Sequence, residues 1–105
     1  MKDIKEYAKK PQLVEVTIDD EDIIAAYGEA ITFYMMDFVK ITTYFDFFRS
    51  QSENDGDRLN DILRKIILNA QGEPALKDDE ILPIDICIAA LTRINQTLGK
   101  SKTKP

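Results

Sequence analysis

From Ile23 onward the apolar side chains Ile23, Tyr27, Ile31, Tyr34, Phe38, Ile41, Phe45 and Phe48 recur in steps of three and four, the spacing that sets residues on one stripe of an α-helix. Residues 19–22 read Asp-Asp-Glu-Asp and place cap side chains and negative charge where a helix N-terminus carries partial positive charge. A first helix is therefore predicted from this acidic run to about residue 48, with that stripe in the core. Phe33, Met36, Tyr44 and Phe47 fall on a second sector of the same helix, near Glu29 and Lys40, when projected at about 100° per residue. They are the candidate partner-contact residues. The β-branched residues between Val39 and Thr43 weaken helix propensity, and Thr43 can cap a new helix with Asp46 at its third position. A break near residue 42 would rotate Tyr44 to Phe48 toward the core.

Residues 50–57 form a loop by composition. A second helix follows with Leu59, Ile62, Leu63, Ile66, Ile67 and Ala70 on one face, ending at Gly72. After a polar connection containing Pro74, a third helix takes Pro83 in its first turn and turns Ile84, Cys87, Ile88, Leu91, Ile94 and Leu98 inward, with Gly99 as its stop signal. Leu13 to Ile18 has partial alternation and suits a short extended segment, lying along the helical body or pairing with another copy or a partner. The expected architecture is all-α: a small bundle of three main helices, the first long or broken near residue 42, with a short extended N-terminal segment. Its organisation is a flexible arm over 1–12, one helical domain over 13–99, and a flexible basic tail over 100–105.

Charge narrows the partners. The chain of 105 residues carries 19 acidic and 14 basic side chains, net −5, and suits a single domain. Residues 11–98 hold 17 Asp and Glu against 7 Lys and Arg, so the body is acidic and both ends are basic. An acidic body repels phosphate, which argues against nucleic acid or an anionic membrane as the main partner. The apolar run over 31–48 is interrupted by Asp37, Lys40 and Asp46 and is not a membrane span. A single cysteine, Cys87, and a charged first ten residues without a hydrophobic run suggest a reducing, cytoplasmic setting without a secretory signal.

Catalytic chemistry finds little to work with. The chain has no histidine, the commonest general base and metal ligand, and one cysteine cannot build a zinc site with it absent. Cys87 sits on the apolar face of the third helix, where a structural thiol is expected. If Gly56 is aligned with the obligatory glycine of a calcium loop, the first ligand position falls on Gln51 and the last on Ile62, where a bidentate Glu belongs. Gly99-Lys100-Ser101 matches the end of a phosphate-binding loop, but Ile94 occupies the earlier glycine position. The acidic clusters at 19–22 and 78–80 each precede a helix and are explained by capping and solvation. No enzyme, metal or cofactor is expected.

The Val-rich entry, the aromatic-loaded first helix with Tyr27-Gly28-Glu29 and Thr43-Tyr44-Phe45-Asp46-Phe47-Phe48-Arg49, and Leu82-Pro83-Ile84-Asp85 opening a helix that ends in Leu98-Gly99-Lys100-Ser101-Lys102-Thr103-Lys104-Pro105 together resemble the tail assembly chaperones of long-tailed bacteriophages. The resemblance covers residues 13–105 in pattern, without an invariant motif. It implies a small, mostly helical protein of the infected host's cytoplasm. Such a protein coats and solubilises the tape measure protein, helps recruit tail tube subunits, and is not expected in the mature virion. It also implies a longer frameshifted form, for which Gly99 and Lys100 are the candidate slip position. No catalytic motif is transferred. Phe33, Met36, Tyr44 and Phe47 would supply the adaptable apolar contact such a role needs; packing under the other helices, or self-association, is the competing use for them. Two other functions fit the sequence: an acidic inhibitor or adaptor for a basic host protein, and a small structural subunit of the virion.

Overall fold

The computed structural model describes residues 3–8 and 10–99. It contains four α-helices and one antiparallel sheet of two strands, so the protein is α+β and the all-α three-helix expectation is corrected. Ahead of the sheet, a single 3-10 turn over Ile4–Tyr7 is held by a capping box between Asp3 and Glu6. The basic tail over 100–105 lies outside the described residues.

The long first helix expected from the acidic run to about residue 48 is replaced by a short helix, a strand and a second helix. β1 (Leu13–Ile18) leads into the short helix α1 (Glu21–Tyr27), and β2 (Ile31–Met36) returns beside β1. Gly28, at φ +86°, closes α1 in the left-handed conformation and donates its N–H to the Ile24 carbonyl at 2.8 Å, a stop that glycine makes without steric cost. The following Ile-Thr-Phe-Tyr segment is rich in β-branched and aromatic side chains, and a waiting strand settles the choice. Val14 pairs with Met35, Val16 with Phe33 and Ile18 with Ile31, so one face of the ribbon is apolar on both strands. Their neighbours Glu15, Thr17, Thr32 and Tyr34 point to the other face, where the Tyr34 hydroxyl donates to Glu15 Oε2 at 3.1 Å. The steps of three and four seen in the sequence coexist with a period of two here, and burial selected the latter.

α2 (Ile41–Ser52) and α3 (Gly56–Ile66) form a helical hairpin. Asp55 caps α3 by accepting from the Arg58 N–H at 3.2 Å, and Arg58 reaches back to Asp46 on α2, also at 3.2 Å. The second predicted helix stops at Ile66 instead of continuing to Ala70. Leu68 instead exchanges backbone hydrogen bonds with Tyr34, at 3.0 and 2.7 Å, and adds a one-residue bridge to the outer edge of β2. Burying Ile67 and Leu68 beside the sheet satisfies backbone groups that a frayed helix end would leave open.

α4 (Ile84–Leu98) packs against β1. The sequence pattern turns Ile84 and Ile88 inward, but these are 74% and 59% exposed while Ala89, Ala90 and Ile94 are buried. With Ala89, Ala90 and Ile94 facing the core, the helical repeat places Ile84 and Ile88 on the outer side. Arg93 fixes this rotation through Asp19 and Asp20, at 2.8 and 2.6 Å from its Nη2. The core thus lies between the apolar face of the ribbon and α2, α3 and α4, with Ile18, Ile23, Met35, Phe47, Leu63 and Ile94 at its centre. No helix among the described residues is long and apolar enough to cross a membrane.

Candidate functional site: an aromatic face on α2

α2 begins at Ile41 after an extended residue, Lys40, so its helical phase is set afresh and owes nothing to the residues before it. Phe47 and Ser50, each 1% exposed, mark its inner side. Ile41, Phe45 and Phe48 then fall on the opposite side by the helical repeat, and they remain 67%, 54% and 59% exposed. A helix of 12 residues carrying apolar side chains on opposite sides can bury only one of them against a single small core.

The outward side chains are organised. The Tyr44 ring stacks on Phe48 with centroids 6.3 Å apart and planes 13° apart, and is tilted against Phe45 at 6.0 Å. These are preferred aromatic geometries. Phe38, Ile41, Tyr44, Phe45 and Leu98 of α4 border an open groove of about 410 Å³. At about 200 Å² per large side chain, the exposed parts of Phe38, Ile41, Phe45 and Phe48 amount to roughly 400 Å² of apolar surface, within the range in which patches on monomers are commonly functional.

The four partner-contact residues expected from the sequence are divided by the structure. Phe33, 8% exposed, belongs to the core face of β2, and Phe47 belongs to the centre of the core; neither offers a surface to a partner. Met36 and Tyr44 are half-buried, Met36 on the outer face of β2 and Tyr44 in the aromatic cluster of α2. Conversely, Ile41, Phe45 and Phe48, which the sequence spacing places on the core stripe, are exposed. The β-branched stretch from Val39 to Thr43 does mark the break, but instead of turning Tyr44 to Phe48 together toward the core, the restarted helix buries Phe47 and points Phe45 and Phe48 outward. Gly99 follows α4 as its C-cap, and Lys100 lies outside the described residues.

Polar chemistry is sparse. Among the described residues, no group of three or more Cys, Asp or Glu side chains is placed to hold a metal ion. Cys87 is half-buried and its thiol is pushed up by burial, which opposes thiolate formation. The Tyr27 hydroxyl donates to both carboxylate oxygens of Asp85 at 2.8 and 3.1 Å. That hydrogen bond first, then desolvation and the nearby charge, raise the tyrosine above its ordinary range; Tyr34 is raised by its hydrogen bond to Glu15 first, then by that carboxylate's charge and by desolvation. Both tyrosines are held as donors and neither is activated as a base. Comparison with protein families, curated proteins and solved structures gives no match.

Proposed function

We propose that this protein works by binding another protein through the aromatic face of α2. In this reading it is a tail assembly chaperone of a long-tailed phage that shields apolar helices of the tape measure protein in the host cytoplasm and helps bring tail tube subunits to it. The observation that carries the binding role is the exposure of Ile41, Phe45 and Phe48 along one ordered helix. The client comes from the resemblance of residues 13–105 to that family, from which the β1–β2 ribbon is a departure. A holdase needs broad, apolar contact with little directional hydrogen bonding. The face meets that need, and the acidic body would keep loaded copies apart.

The test is co-expression with tape measure protein fragments. The parent chain should keep them soluble in low and high salt, and Phe45→Ser with Phe48→Ser should lose that effect while melting like the parent. Equal solubilisation by the double variant would remove the aromatic face from the reading. The net charge of −10 over residues 11–98 favours a second reading, an acidic adaptor for a basic host protein. Its signature would be a complex that dissolves at high salt.

A further inference from the structure

On the other flank of α2 lies a cleft of about 630 Å³ whose floor includes Met36, Val39 and Ile66 and whose rim carries Lys10, Lys40 and Lys65. No acidic residue lines it. This is unusual in a body with 17 acidic and 7 basic side chains. The arginines at positions 58, 64 and 93 each hold a carboxylate. Among the described residues Lys10, Lys40 and Lys65 form no ion pair. The cleft therefore offers apolar surface with uncompensated positive charge around it.

The same chain carries a complementary segment. Asp78, Asp79 and Glu80 are exposed, and Ile81 beside them is 71% exposed. Among the described residues none of these carboxylates forms an ion pair. The segment is held in place on both sides: Arg64 Nη2 donates to the Glu80 carbonyl at 3.2 Å, and Leu82 packs against the core. Arg64 and Lys65 are neighbours on α3, so the acidic loop and the lysine cleft flank the same helix end.

We propose that the occupant of this cleft is the Asp78–Ile81 loop of a second copy of this chain. Because loop and cleft flank the same end of α3, one two-fold axis beside it would bring each loop to the other copy's cleft, giving a closed, isologous dimer. Ile81 enters the apolar floor, and Asp78 and Asp79 meet the lysines, while Glu80 Oε1 stays within the loop as acceptor of the Lys77 N–H at 2.8 Å. Thr43 marks the side of α2 that lines the cleft, away from Ile41 and Phe45; Phe38 and Val39 border both the cleft and the aromatic groove, so the dimer covers that shared edge and leaves Ile41, Phe45 and Phe48 open. The inference goes beyond the chaperone reading and stands without it.

Sedimentation of the full chain over a range of concentrations tests it. Wild-type protein should double in mass as concentration rises at low salt, with dissociation at least tenfold easier at high salt. Lys40→Glu with Lys65→Glu, and separately Asp78→Lys with Asp79→Lys, should each be monomeric over the same range. An equimolar mixture of the two variants should recover the dimer, because both contacts regain opposite charges; two misfolded chains could not do this. Wild-type protein that stays monomeric at every concentration would overturn the proposal. So would a mixture that stays monomeric, or a monomer that takes up an unrelated acidic, apolar peptide in the cleft.

Discussion

Phe33 of β2 lies directly across from Val16 of β1, and both side chains point into the core from the buried face of the ribbon. Truncating a buried Phe costs about 3–5 kcal/mol, and Phe47 is buried still more completely. Phe33→Ser with Phe47→Ser should therefore abolish the cooperative melting transition in circular dichroism. The contrasting pair, Phe45→Ser with Phe48→Ser, should stay within about 0.5 kcal/mol of the parent, as exposed substitutions do. Had the chain folded as one long first helix, the two results would be exchanged.

Arg93 ties the last helix to the corner between β1 and α1. Its partners are partly exposed, so the contact is screened, and Arg93→Met should cost only about 1 kcal/mol. For a domain of this size that corresponds to a fall of about 4–8 °C in melting temperature. The difference should shrink at high salt.

Tyr27 and Tyr34 donate to carboxylates, and both hydroxyls are raised above the ordinary value of 10.0. A raised folded-state value means that the contact's contribution is complete below pH 10 and is lost as pH climbs through the raised value. The alkaline absorbance titration should contain two late components. Tyr27→Phe and Tyr34→Phe should each remove one of them.

Gly28 holds φ at +86° with nothing within 4 Å of a Cβ placed there. A side chain would fit in space but not in backbone conformation, so Gly28→Ala should destabilise by about 1 kcal/mol. Denaturant melting should show a lower midpoint with an unchanged slope. Gly28→Asn should lose less, since Asn tolerates the left-handed region.

The sequence by itself determined the local punctuation. Pro83 stands at the start of α4, Gly99 ends it, and Leu13 to Ile18 is extended, because proline, glycine and β-branched runs act within a few residues; the loop expected over 50–57 shrinks to 53–55, with α2 running on to Ser52 and Asp55 capping α3 from Gly56. It also determined the charge distribution and the absence of histidine. Tertiary structure decided what the apolar residues between Ile23 and Phe48 do. Spacing in threes and fours runs through that stretch, while the period of two over Ile31 to Met36 is weak in the sequence and becomes decisive only when β1 supplies Val14, Val16 and Ile18 as partners in register. Once 31–36 became a strand, the helical phase restarted at Ile41, Phe47 turned inward and Phe45 outward. The exposed face of α2 was legible only after that choice, because exposure is a property of which neighbours a side chain finds, and a one-dimensional pattern names no neighbours.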